Sequence, residues 1–181
     1  TDHYAEVNGL RLHYASVGEG PLVLFLHGYP SFWYQWKDQM LEMGRDHRAV
    51  GLDMRGYNLS ARPEGLEPYT MPHLVEDVRR FVETINGPGK KFTLVAHDWG
   101  GAIGLGAALA RQDRFARFVL FNTAAFRSSW MPWRIRLCRT PLIGTLAVRG
   151  LNAFVRAALR MAVEKPERMT AAVRAGIAAP Y

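Results

Sequence analysis

Leu94-Val95-Ala96-His97-Asp98-Trp99-Gly100-Gly101-Ala102-Ile103-Gly104 joins an apolar run to a row of small residues, with a carboxylate at the junction. A buried charge without partners is costly, so Asp98 is either hydrogen-bonded or chemically employed. From Ala96 to Gly100 the order is small–x–Asp–x–Gly, the layout of a nucleophile elbow, in which a reactive side chain stands on a strained strand-to-helix turn. Bulky residues two positions either side would meet neighbouring backbone, which accounts for Ala96 and Gly100. The helix that follows aims its first N–H groups at the corner and favours an anion there. Taken alone, the pattern has other readings: such turns also bind phosphate, and an Asp before a helix also serves as its N-cap.

Two further loops carry similar residues. Leu26-His27-Gly28-Tyr29-Pro30 closes the apolar run Leu22–Leu26, and Asp53-Met54-Arg55-Gly56-Tyr57-Asn58-Leu59-Ser60 follows the run Ala49–Leu52. Three loops at the C-terminal ends of three successive strands lie where open α/β sheets bind their ligands.

Together these residues resemble the α/β-hydrolase superfamily, in the branch whose nucleophile is Asp rather than Ser. That branch contains epoxide hydrolases, haloalkane dehalogenases and a β-lactone decarboxylase family of olefin biosynthesis. The resemblance implies that Asp98 is the nucleophile. Already ionised at neutral pH, it displaces a leaving group from saturated carbon and becomes an alkyl ester. Water then attacks the ester carbonyl. The resemblance assigns the backbone N–H groups of Tyr29 and Trp99 to the oxyanion hole, where one donor is worth about 10²–10³ in rate. His27, Gly28, Pro30, His97 and Gly100 are expected to shape the site. The attacking water needs a histidine base, worth about 10²–10⁴, held in its tautomer by an acid.

The leaving group separates the members. The Trp99 indole N–H is a potential halide donor, although epoxide hydrolases carry the same His-Asp-Trp-Gly-Gly. Many dehalogenases place Asn third in His-Gly-x-Pro; Tyr29 at that position is similar to the epoxide hydrolase pattern. An epoxide oxygen needs a proton donor, in that family cap tyrosines, and after Tyr69 the chain offers only Tyr181. The expected activity is therefore conversion of an epoxide to a diol, acting on a small hydrophobic epoxide and water. The alternative is a haloalkane dehalogenase or β-lactone decarboxylase. An alternative of another class is a catalytically incomplete fragment or scaffold that needs a complementing chain.

Residues 4 to about 104 resemble epoxide hydrolases, notably FWYQWKDQM, DMRGYNLSARPEG and HLVEDV. From about residue 118 the likeness shifts to a dehalogenase subgroup and the decarboxylases, through NTAAF, MPW and AAPY. A boundary this sharp is the pattern expected of a chimeric or engineered chain. In the superfamily the chain order is nucleophile, acid, then His. Here all six histidines (His3, His13, His27, His47, His73 and His97) lie at or before the elbow. After Asp113 there is no Asp, only Glu164 and Glu167, and Asn122 stands where one dehalogenase subgroup carries its acid. The triad acid and base are expected to be absent from this chain, which reads as truncated before the last two strands.

The elements that must position Asp98 follow from periodicity. Gly9–Ser16 reads as a hairpin strand after an Asn8-Gly9 turn. Leu22–Leu26, Ala49–Leu52, Phe92–Ala96 and Phe118–Phe121 read as buried strands. Phe32–Met43, Met71–Ile85 and Gly101–Ala110 read as helices, the second capped by Thr70 with Pro72 in its first turn. After Phe126 the pattern is helical, over 134–160 and 164–178, punctuated by Pro132, Pro141 and Pro166. The expected fold is α/β-hydrolase: a mostly parallel sheet with helices on both faces. Residues 1–125 form its core and 126–181 a partial helical cap. The edge of the Phe118–Phe121 strand is expected to pair with a complementing chain or with itself.

Composition excludes several classes. With 181 residues, 49% of them apolar, the chain is one domain's worth of globular protein. No apolar run reaches the length of about 18 residues that suggests a membrane span, and Thr1-Asp2-His3-Tyr4 has no signal-peptide pattern. The net charge of +7 is uneven, with ten basic and thirteen acidic residues before Arg111 and thirteen and three from it onward. Arg134, Arg136, Arg139, Arg149, Arg156 and Arg160 are spaced as a solvated helical face, so neither nucleic acid nor membrane is an expected partner. Cys138, the one cysteine, forms no internal disulfide and fits a reducing cytoplasm. His73 reads as solvated. No metal-ligand spacing and no phosphate-loop motif occurs, so no cofactor or metal is expected.

Overall fold

A computed structural model describes residues 1–124, 126, 133–142, 144, 146–161 and 164–181, apart from the side chains of 134, 149 and 166. The chain divides into two compact units, Thr1–Ala125 and Phe126–Tyr181.

In the first unit, strands β1 (Asp2–Val7), β2 (Leu10–Val17), β3 (Leu22–Leu26), β4 (Arg48–Leu52), β5 (Phe92–His97) and β6 (Phe115–Phe121) form one sheet in the order β1-β2-β4-β3-β5-β6. The β1–β2 and β2–β4 pairs are antiparallel and the remaining three are parallel. Register brings Leu26 opposite both Leu52 and Ala96, and His97 opposite Phe121. Strands β3, β4, β5 and β6 therefore end level, and their following loops share one edge of the sheet.

Successive side chains of a strand face opposite sides, and β3 divides its residues accordingly. Leu22, Leu24 and Leu26 join Leu52, Phe81, Leu94 and Ile103 in one core cluster, while Val23 and Phe25 join Trp36, Met40, Ala49 and Val95 in another. Helices α1 (Lys37–Met43), α2 (Met71–Asn86) and α3 (Trp99–Ala110) supply the covering residues. The α2 face that carries Val78, Phe81 and Val82 is buried. The small residues of α3 let it lie flush. A Cβ on Gly104 would come within 2.5 Å of Leu94 Cδ2, and one on Gly106 within 2.6 Å of Val75 Cγ2.

Several elements differ from expectation. Strand β1 carries charges at Asp2 and Glu6 that mask its alternation, yet Ala5 and Val7 are buried and Asn8-Gly9 turns with positive φ at both residues. Over Phe32–Met43 a 3₁₀ turn, Trp33–Trp36, precedes α1. Thr70 stands at the N-cap of α2 but makes no capping bond, because its hydroxyl meets His73 Nδ1 at 2.9 Å. His73 also lies 3.5 Å from Glu67.

The second unit contains α4 (Trp133–Cys138), a π turn at Leu146–Gly150, α5 (Ala153–Met161) and α6 (Ala171–Ala178). The helical pattern expected over 134–160 and 164–178 is interrupted at two of the prolines that punctuate it, Pro141 and a 3₁₀ turn beginning at Pro166, and also around Gly150. Thr170 caps α6 by accepting the Val173 N–H at 3.3 Å. Among the described residues no strand follows Phe121. Pro132 and most of the Met131-Pro132-Trp133 motif lie outside the described residues, as do the side chains of Arg134 and Arg149.

Candidate active site

Asp98 joins β5 to α3 with φ 53° and ψ −122°. Few residues with a Cβ adopt a positive φ, and this combination persists only where surroundings hold it. The Asp98 carbonyl accepts the Gly101 N–H at 3.1 Å and the Thr123 hydroxyl at 2.7 Å. The carboxylate behaves unlike that of an N-cap. It makes no bond to its own helix; Oδ2 instead accepts the Tyr29 N–H, at 3.1 Å, from the loop after β3.

Glycines make the approach possible. A Cβ on Gly28 would overlap Cβ, Cγ and Oδ2 of Asp98, and one on Gly100 would stand 2.5 Å from the His27 carbonyl oxygen and 2.6 Å from that of Leu26. A Cβ on Gly101 would overlap the Thr123 side chain. Trp99 opens α3, where the helix provides no acceptor for its N–H, and its side chain is exposed. Pro30 is half-buried and the Tyr29–Pro30 bond is cis.

His27 is fully buried and ties two of the loops together. Its Nδ1–H donates to the Gly28 carbonyl at 3.0 Å and its Nε2 accepts the Met54 N–H at 3.2 Å, a pairing that defines the tautomer. Burial pushes its pKa below the ordinary histidine value, so the ring is neutral. The Tyr57 ring meets it edge-on at 4.6 Å and the Tyr29 ring at 6.4 Å. His97 Nδ1 is buried and has no hydrogen-bond partner among the described residues.

The loop after β4 is fixed from beneath by two buried carboxylates. Asp53 accepts from His13 Nδ1 at 2.7 Å, Asn58 Nδ2 at 2.7 Å and the Trp33 N–H at 2.9 Å. Asp77 of α2 receives Arg55 through two bonds of 2.7 Å, and Asn8 Nδ2 at 2.8 Å. Burial of such a pair is tolerated only with this degree of hydrogen bonding.

Of the residues singled out from sequence, Gly28, Tyr29 and Asp98 meet directly, and His27 and Gly100 abut the same junction. Hydrogen bonds among the described residues link no histidine to the Asp98 carboxylate, and Glu164 and Glu167 are exposed in the second unit. Thr123, Met54, His13, Asp53 and Asp77 were not foreseen as supports. Their contribution is hydrogen bonding between elements remote in sequence, which leaves no local pattern. Among the described residues no cluster of three His, Cys, Asp or Glu could hold a metal ion, and no helix is long and apolar enough to cross a membrane.

Comparison with known proteins identifies the fold. The family pattern described as alpha/beta hydrolase fold matches residues 21–140. Epoxide hydrolase 2 of Caenorhabditis elegans is 38% identical over 121 residues, covering 66% of this chain and 34% of its own length. The cis-3-alkyl-4-alkyloxetan-2-one decarboxylase of Shewanella oneidensis is 33% identical over 184 residues, covering 99% of this chain and 57% of its own. Among solved structures, an epoxide hydrolase of Vigna radiata aligns over 99% of this chain and 66% of its own with a TM-score of 0.85 and 27% identity. The chain thus spans from about a third to two thirds of the length of these relatives. It belongs to the α/β-hydrolase fold family.

Proposed function

We propose that Asp98 is the nucleophile of an epoxide hydrolase-type site. The observation that carries this reading is the turn of its carboxylate away from α3 and onto the Tyr29 N–H. An Asp kept only to cap a helix would accept from that helix. A carboxylate held by a foreign N–H, on a strained elbow, keeps its second oxygen for chemistry.

Oδ1 attacks an epoxide carbon, the carbon–oxygen bond breaks, and the epoxide oxygen takes the electron pair and a proton from solvent water, leaving a hydroxyalkyl ester on Asp98. When water attacks the ester carbonyl, negative charge develops on Oδ2. The Tyr29 N–H already stands there, and the Trp99 N–H at the head of α3 is the second donor. His27, neutral and bonded at both nitrogens, shapes the loop and is no base. His97 likewise shapes the corner, and Gly28, Pro30 and Gly100 allow the loops to close on it.

No histidine follows the elbow in this sequence. The chain by itself therefore forms the ester and retains it. Residues 126–181 are read as part of a helical cap, and the substrate as a small hydrophobic epoxide. A cytoplasmic location fits the single Cys138.

A second reading, a β-lactone decarboxylase or haloalkane dehalogenase site, has support from decarboxylases that cover 99% and 96% of this chain. A third, a scaffold that takes a complementing chain, has support from β6, an edge strand along which Phe118, Val119, Leu120 and Phe121 are all exposed. The test is incubation with a terminal epoxide, a haloalkane and a β-lactone in parallel. A stable adduct on Asp98 from the epoxide alone supports the first reading. Halide or carbon dioxide release favours the second, and no adduct until a second polypeptide is added favours the third.

A further inference from the structure

Thr123 stands two residues beyond β6 and is assigned no part in the chemistry above. Its hydroxyl donates to the Asp98 carbonyl at 2.7 Å, across 25 residues of chain. Three features show how closely this contact is built. The pairing of His97 with Phe121 brings the end of β6 level with the elbow. Asn122 turns the chain there with φ 35°. Gly101 leaves the space in which the Thr123 side chain sits, because any Cβ would overlap its Oγ1, Cβ and Cγ2.

What the hydroxyl grips matters more than the grip itself. The Asp98–Trp99 peptide is planar and trans, so its C=O and N–H point in opposite directions. Fixing the carbonyl at one end fixes the direction of the Trp99 N–H at the other. Asp98 sits at φ 53° and ψ −122°, a backbone conformation that relaxes unless its neighbours over-determine it. The Gly101 N–H reaches the same carbonyl at 3.1 Å, but it belongs to the helix and moves with it. The Thr123 hydroxyl comes from the segment after β6 and ties the peptide to the end of a different strand.

We propose that Thr123 is a positioning residue, which aims the Trp99 N–H at the charge that develops on the Asp98 ester by holding the opposite end of their shared peptide. This rests on Asp98 as nucleophile and identifies what sets the second oxyanion donor. Thr123 touches neither substrate nor reacting atoms. It acts in the step where a tetrahedral oxyanion forms, and little in the alkylation that precedes it.

The test uses Thr123→Val, which keeps the shape and removes the donor, and Thr123→Ser, which keeps the donor. Each protein is alkylated with a terminal epoxide, and the ester is then cleaved with hydroxylamine. Nitrogen attacks the side-chain ester carbonyl of Asp98, the tetrahedral oxyanion forms, and the ester oxygen leaves with the proton lost from nitrogen as the diol, with a hydroxamate left on the Asp98 side chain. Expected is release slowed about 10²-fold in Thr123→Val, an alkylation rate within about threefold of the parent as the same reasoning requires, and near-parental release in Thr123→Ser. Adducts unfolded in denaturant should release at one common rate. Parental release in Thr123→Val, or equal loss in Thr123→Ser, overturns the proposal. If Thr123→Val does not fold, Thr123→Ala takes its place. If the parent gives no Asp98 adduct, the reading of Asp98 fails, and the Trp99 backbone amide resonance decides the positioning separately. A shift in Thr123→Val that Thr123→Ser restores supports it, and an unmoved resonance overturns it.

Discussion

The Tyr29 N–H and the Asp98 Oδ2 meet at 3.1 Å across 69 residues of sequence. The contact exists because β3 and β5 are neighbours in register, with Leu26 beside Ala96, so both loops leave the sheet at the same level. It also depends on a missing atom, because any side chain at Gly28 would occupy the space of the carboxylate. Strand register, one glycine and one backbone donor together define where a negative charge is tolerated.

Gly28→Ala tests that dependence. The added methyl must displace either the loop or Asp98, and with it the Tyr29 N–H. Loss of one such donor lowers rate about 10²-fold, so release of the Asp98 ester by hydroxylamine should slow by that order. A Gly28→Ala protein that releases its ester at the parental rate would contradict the arrangement.

His27 makes stability depend on pH in a definite direction. Burial holds its folded pKa below the ordinary 6.5, so in mildly acidic solution the unfolded chain binds the additional proton. Stability therefore rises with pH in that window, is complete above about pH 6.5, and is lost as pH falls toward the folded pKa. Urea unfolding between pH 7.5 and 5.5 should show this slope, and His27→Gln should flatten it. Equal slopes in both proteins would remove His27 as the source.

Asp77→Asn leaves the Arg55 guanidinium buried without its counter-charge, with both side chains nearly inaccessible in the parent. Breaking a buried pair in this way costs about 3–5 kcal/mol. Denaturant unfolding is the measurement, and a loss below about 1 kcal/mol would mean that the pair does not hold the β4 loop in place.

Strand β6 should make the isolated chain associate. Phe118, Val119, Leu120 and Phe121 are exposed at a sheet edge, the situation in which strands recruit other strands. Sedimentation should give concentration-dependent association that Val119→Lys reduces. A monomer at all concentrations would contradict this.

The core was legible where burial acts on every residue of an element. Leu22–Leu26 reads as a strand because both of its faces are covered, and the structure gives the same bounds. The elbow was legible because Gly100 must be small for the backbone to pass. By contrast, β1 escaped notice because Asp2 and Glu6 lie on its solvent-facing side. Thr123, Asp53 and Asp77 lie in stretches that carry the family likeness, but the partners of their hydroxyl and carboxylates were not readable from sequence. Each acts on a partner brought close by sheet order, and nothing in an Asn-Thr or Val-Glu-Asp sequence announces which partner that is. After Phe126 the breaks at Pro141 and Pro166 were legible from the prolines, whereas the π turn at Leu146–Gly150 carries no proline and was not.

The most direct test of the account is the mass of the intact chain after incubation with a reactive terminal epoxide, followed by mapping of the modified peptide. The account predicts one added epoxide, located on Asp98, stable in the parent and absent from Asp98→Asn. An unmodified chain, or a label that persists in Asp98→Asn, would contradict it.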